Sequence, residues 1–166
     1  MGQQPPAFPP REEFTDIRVE NDGSWYAKGG KKIINRDILK YFKQGLHRDK
    51  KGIYIYNEFG PFREKGYIKV FGPVVQVADF DSKNIYLDND DTITLEPSLK
   101  IVMDSKDRPF VYYEPLQTWA GFLRGAFFRF MDVIGHSVEE TGERRFYNIP
   151  VQQVQSVDFQ NGLFSQ

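Results

Sequence analysis

Cysteine is absent from this 166-residue chain, and histidine occurs only as His47 and His136. No disulfide, thiolate nucleophile or thiolate zinc site can form, and a zinc or iron centre would have to be built mainly from carboxylates. Carboxylates at ligand spacing are missing too. Asp79-Phe80-Asp81 opens like a calcium loop but runs into Lys83 and Asn84 where an oxygen ligand and a glycine are required, and Asp88-Asn89-Asp90-Asp91 reads as a hairpin turn. No metal and no cofactor is expected. An excess of one charge is also lacking: 22 Lys+Arg stand against 23 Asp+Glu, a net charge of -1, which offers no global attraction for a nucleic-acid polymer or an anionic membrane.

Catalytic signatures are equally scarce. The chain holds neither a phosphate-cradling GxxxxGK[ST] loop nor a dinucleotide GxGxxG, and Ser24 after Gly23 is the nearest approach to a nucleophile elbow. A non-enzymatic role is the favoured reading. The longest apolar stretch, 116–131, contains Arg124 and Arg129 and falls short of the roughly 20 apolar residues of a membrane span. The opening MGQQPPAFPPREEF shows no basic leader ahead of an apolar run, and Pro6 stands where a myristoylation signal needs Ser or Thr. Together with the lack of cysteine, this makes a reducing, cytoplasmic location the default.

What the chain has in quantity is aromatic residues, 16% of the total with 15 Phe and 9 Tyr. Each ring buries a large area, so few residues can hold a compact fold. Residues 1–13, with Pro5, Pro6, Pro9 and Pro10, read as a disordered tail in which Phe8 alone would pack. Asn21-Asp22-Gly23 and Gly29-Gly30 read as turns on either side of a short strand at Trp25-Tyr26. Asn35 is a good N-cap for a first helix, with Asp37 in its first turn; Ile34, Ile38, Tyr41, Phe42 and Leu46 form its predicted buried face, and Arg48 to Gly52 its predicted stop. Runs at 53–56, 67–71, 74–80, 84–87, 92–95, 99–103 and 109–113 read as consecutive antiparallel strands. A second helix is predicted over 116–131, apolar on most sides and therefore surrounded, with Gly121 and Gly125 one turn apart for close backbone approach. A charged loop, Gly142 and Arg144 to Asn148 follow it, ending at Pro150, much as a charged loop, Gly52 and Ile53 to Asn57 follow the first helix. The predicted fold is α+β, with two similar halves, 14–83 and 84–160, each of antiparallel strands plus one main helix with a shared interface, and a tail at 161–166.

Asp22-Gly23-Ser24-Trp25-Tyr26, with Ile34, Arg36, Leu39, Phe42, Leu46, Arg48, Gly52 and Tyr54, resembles the bacterial domain-of-unknown-function family 1285 (DUF1285). Asn89, Pro109-Phe110-Val111 and the Leu123-Arg124 to Phe128 helix extend the resemblance over about residues 20–150. It implies a duplicated α+β core, a C-terminal half superficially similar to pleckstrin-homology folds, a nucleotide-like ligand between the halves and a signalling role. The chain departs from the family where it has Tyr113-Glu114-Pro115 in place of a Val-Arg pair, which removes one anion contact.

Candidate ligand-binding residues are Trp25, Arg36, Arg48, Glu58, Asn89 and Arg124. Guanidinium groups suit bidentate contact with phosphate or carboxylate, and Arg36, Arg48 and Arg124 converge if the two helices face each other; each could instead pair with a local acid such as Asp37 or Asp49. Trp25 could stack on a base or sugar, or simply pack in the core. Glu58 could accept a hydrogen bond from a ligand, or serve only as a turn acid. Two functions follow: a non-catalytic small-molecule binding or sensing protein, and a protein-protein interaction domain using an exposed aromatic patch or sheet edge.

Overall fold

In the computed structural model, which describes residues 9–166, the strands fall into two main sheets with one helix each. The first unit contains β1 (Arg11–Val19), β2 (Trp25–Tyr26), α1 (Arg36–Gln44), β3 (Leu46–Asp49), β4 (Gly52–Phe59) and β5 (Phe62–Val70), in sheet order β2-β1-β5-β4-β3. All neighbours are antiparallel except β1 and β5. The second contains β6 (Gln76–Phe80), β7 (Asn84–Leu87), β8 (Thr92–Thr94), β9 (Ile101–Met103), β10 (Pro109–Tyr113), β11 (Thr118–Phe122), α2 (Arg124–Thr141), β12 (Arg145–Phe146) and β13 (Ile149–Gln153). Its sheet order is β12-β13-β9-β10-β11-β6-β7-β8, with parallel pairs β13/β9 and β11/β6 among the antiparallel ones. A small ribbon of β14 (Ser156–Asp158) and β15 (Leu163–Ser165) closes the chain. Among the described residues no helix is long and apolar enough to cross a membrane.

The predicted strands from 53 to 113 are present, but they do not form one consecutive antiparallel series. The chain leaves the first sheet after β5 and enters the second at β6 through Phe71–Val75, where Val74 and Val75 are fully buried. Gly72 makes this crossing possible: a Cβ there would lie 1.9 Å from the Glu20 carbonyl oxygen. Buried residues form one cluster running through both units, from Val19 and Trp25 to Phe146 and Phe159. The second sheet thus begins at Gln76, within the span assigned by sequence to the N-terminal half. Arg11–Glu13, assigned to the tail, belong to β1 in register with Glu64–Gly66, and Leu163–Ser165 pair with β14 in place of a tail. Phe8 and the prolines Pro5 and Pro6 lie outside the described residues.

The first helix starts as predicted, with the Asn35 carboxamide oxygen accepting from the Asp37 and Ile38 amides at 2.9 and 3.1 Å. It ends earlier. Gly45 closes it, donating to the Tyr41 and Phe42 carbonyls at 3.1 Å, and Leu46–Asp49 then run as a strand against Gly52–Ile55. Leu46 is buried from that strand, and the inward helix positions are Leu39, Phe42 and Lys43. Ile34, Ile38 and Tyr41, predicted to be buried, are 79, 45 and 61% exposed. Spacing was right for an apolar stripe, but the stripe faces outward because Lys43, on the other side, is drawn inward by an acid of the second unit.

The predicted second helix divides into a strand and a helix. Thr118 to Phe122 form β11, buried on both faces between β10 and β6, and α2 begins only at Arg124. A strand covered on both faces carries a continuous apolar run, which cannot be told from a buried helix by periodicity. Gly121 and Gly125 therefore do not share a helix face; Gly121 instead lets the chain pass Pro73, whose Cγ would lie 2.8 Å from an added Cβ. Phe130 of α2 packs on Phe122 and Phe146 at ring distances of 4.7 and 5.0 Å. The two Tyr-Asn pairs are not equivalent: Tyr56-Asn57 lie within β4, whereas Tyr147 takes a left-handed φ of 54° between β12 and β13.

Candidate functional site: the groove between the two units

α1 reaches the second unit through the β7–β8 turn. Lys43 Nζ donates to Asp88 Oδ2 at 2.5 Å, with side-chain exposures of 9 and 16%. The other Asp88 oxygen accepts from the Gln76 amide at 2.9 Å. Lys40 pairs with Asp90 at 2.7 Å nearer the surface, and the Gln44 amide points at the Asn89 carbonyl. One turn of four acidic or amide residues thus latches a whole helix.

Beside the latch lies a chamber of about 680 Å³ whose walls come from both units: the Asp22–Trp25 turn, Arg36, Leu39 and Lys43 on one side, Gln76, Asp88 and Leu123 on the other. Arg36 is exposed at its edge and makes no ion pair among the described residues. The Ser24 amide, hydrogen-bonded to Asp22 at 2.9 Å, holds the Asp22 carboxyl below its ordinary pKa. Trp25 is 1% exposed and stacks on Phe42 at 6.2 Å, while its indole N–H is buried without an acceptor among the described residues. Buried donors are nearly always satisfied, so this one calls for an explanation.

A second chamber of about 640 Å³ adjoins the first, sharing Asp22, Gln76 and Leu123 with it. Arg124 stands here, with its guanidinium 5.7 Å from the Phe128 ring centroid. The saddle between the chambers is tight: a Cβ on Gly23 would lie 2.6 Å from the Gln76 amide nitrogen, and the φ of +85° at Gly23 itself favours glycine.

The six residues singled out by sequence therefore do not meet at one point. Trp25 and Arg36 border the first chamber and Arg124 the second. Arg48 lines neither; it donates to the carbonyls of Leu116, Gln117 (3.4 Å) and Gln160 (2.7 Å), and burial lowers its pKa from the usual arginine value. The three arginines consequently do not converge, because Arg48 is consumed in fastening the first sheet to the C-terminal segment. Glu58 is exposed on β4 and accepts from the Tyr56 hydroxyl at 2.6 Å. Asn89 is a turn residue: its side chain accepts from the Asp91 amide at 3.0 Å and donates to the Tyr113 hydroxyl at 3.2 Å. Burial, followed by the hydrogen bond to Asp91, pushes the Tyr113 phenol up to about 12. Lys43, Asp88, Gln76 and Leu123 were missed. A signal existed for the first: Lys43 lies four residues after Leu39 and three before Leu46, an inward position that obliges a lysine to find an acid.

The architecture is a DUF1285-like α+β fold. No protein-family model matches the chain, and no curated protein matches it. A crystal structure of a DUF1285 family protein from Silicibacter pomeroyi DSS-3 superposes with a TM-score of 0.53 at 20% identity, over 95% of this chain and 82% of that one. A DUF1285 family protein from Shewanella baltica OS155 aligns with a TM-score of 0.49 at 14% identity, over 70% of this chain and 90% of that one. The first likeness bears out the resemblance read from residues 20–150 at the level of the fold.

Proposed function

We propose that this is a non-catalytic binding or sensing protein that holds a small, nucleotide-like anion in the chamber beside α1 and serves in cytoplasmic signal transduction. One observation carries the reading: Arg36, whose guanidinium is in no ion pair among the described residues, and Trp25, whose buried indole N–H lacks an acceptor among them, border one cavity built from both units. A donor left without a partner costs about 1–3 kcal/mol, which a guest supplying an oxygen acceptor removes.

Thermal unfolding across a panel of nucleotides and related anions tests this. A ligand at 100 times its Kd adds about 2.7 kcal/mol, a rise in Tm of roughly 5–10 °C for a chain of this size. Arg36→Gln, an exposed substitution, should abolish most of that rise while leaving the unliganded Tm in place. A flat response across the panel contradicts the reading.

The outward stripe of Ile38 and Tyr41 on α1, continued by Ile34 just ahead of its N-cap, supports a second function, docking of a partner protein, since these three large apolar side chains stay exposed. Cross-linking from this face should capture a defined partner, and Ile38→Lys should abolish capture without altering the ligand response. Capture unaffected by Ile38→Lys rules this role out.

A further inference from the structure

The second chamber differs in chemistry from the first, and we propose that it is a separate site for a small aryl or alkyl monocarboxylate. One side of it is apolar, with Pro73 of the connection between the sheets, Phe122 at the end of β11, and Phe127 and Phe128 near the start of α2, while Asn21, Asp22, Gln76 and Arg108 supply its polar side. Phe128 is left 54% exposed. Arg124 stands over that ring, and α2 has no acidic residue in its first turn to neutralise it. Nor does any other described residue form an ion pair with it.

Of the neighbouring charges, Arg108 is neutralised by Asp104 at 2.8 Å and bound to Asn21 at 3.1 Å, whereas the Asp22 carboxylate accepts the Ser24 amide and keeps its negative charge. One free cation on an aromatic wall, with the Asp22 carboxylate in the same lining opposing any second negative charge, therefore selects a guest with a single negative charge and an apolar body. A carboxylate matches the guanidinium fork, and the ring or chain behind it covers Phe127 and Phe128. A volume of about 640 Å³ is ample for such a molecule.

Calorimetric titration of the full chain with phenylbutyrate, and with the uncharged phenylbutanol, tests the site. The acid should bind saturably and the alcohol at least about 10-fold more weakly, the effect of losing one charged hydrogen-bond pair. Arg124→Gln should weaken the acid by a similar factor and leave the alcohol unchanged, and Phe128→Ala should weaken both. Arg36→Gln should change neither. Absence of saturable binding, equal affinity for acid and alcohol, or indifference to Arg124→Gln overturns the proposal; so does loss of binding in Arg36→Gln, which would place the acid in the first chamber.

Discussion

Asp88→Ala should destabilise the protein by about 3–5 kcal/mol, because it strands the buried Lys43 ammonium. That corresponds to a fall in Tm on the order of 10 °C. The carboxylate has two duties across the groove, accepting from Lys43 Nζ at 2.5 Å and from the Gln76 amide at 2.9 Å, so its removal also leaves a backbone donor without a partner. Replacing both charges, as in Lys43→Met with Asp88→Leu, should recover much of the loss, since no buried charge then remains uncompensated. The neighbouring Lys40–Asp90 pair, with side chains 47 and 64% exposed, is the internal comparison. Asp90→Asn should cost less than about 1 kcal/mol. Urea unfolding followed by circular dichroism measures all three, and a loss in Asp88→Ala no greater than in Asp90→Asn would show that the latch does not hold the units together.

Arg48→Met is expected to cost about 3 kcal/mol, although it retains the side-chain stem. The guanidinium joins β3 to the turn at Leu116 and Gln117 and to Gln160 near the C-terminus. Its loss should release the β14–β15 ribbon before the rest. Hydrogen exchange across 156–165 should accelerate in this variant more than exchange in β4 and β5. Ligand response in the thermal assay should persist, since Arg48 lines neither chamber of the groove. Abolition of that response would return Arg48 to the site and undo its assignment as a structural clasp.

Local elements with their own punctuation could be read directly. Asn35 announced α1, Asp88–Asp91 announced a hairpin, and the β-branched and aromatic runs from 53 to 113 announced strands. Boundaries failed where two signals competed. Gly45 stops α1, yet the cations after Arg48 and Gly52 imitate a helix end while in fact forming the β3–β4 hairpin. Thr118–Phe122 is apolar throughout because sheet neighbours cover it on both faces, and that pattern is shared with a buried helix. Site residues divide along the same line. Arg36 and Trp25 lie close in sequence, and their common chamber could be anticipated. Gln76 and Leu123 join it only because the crossing at Gly72 brings β6 beneath the Asp22–Trp25 turn, a contact between distant segments that no periodicity encodes. Arg48 could not be told from a ligand arginine, because its partners are backbone carbonyls and carry no side-chain signature.

Only two indole N–H groups exist in the chain, and they differ in kind: that of Trp119 donates to the Leu163 carbonyl at 3.1 Å, whereas that of Trp25 has no acceptor among the described residues. Two-dimensional proton–nitrogen NMR resolves both, with Trp119→Phe assigning them. Addition of a nucleotide that raises the Tm should move the Trp25 indole resonance downfield as it gains an oxygen acceptor, and leave that of Trp119 in place. A Trp25 resonance that stays fixed at saturating ligand, or a shift confined to Trp119, would contradict a guest seated between α1 and the second sheet.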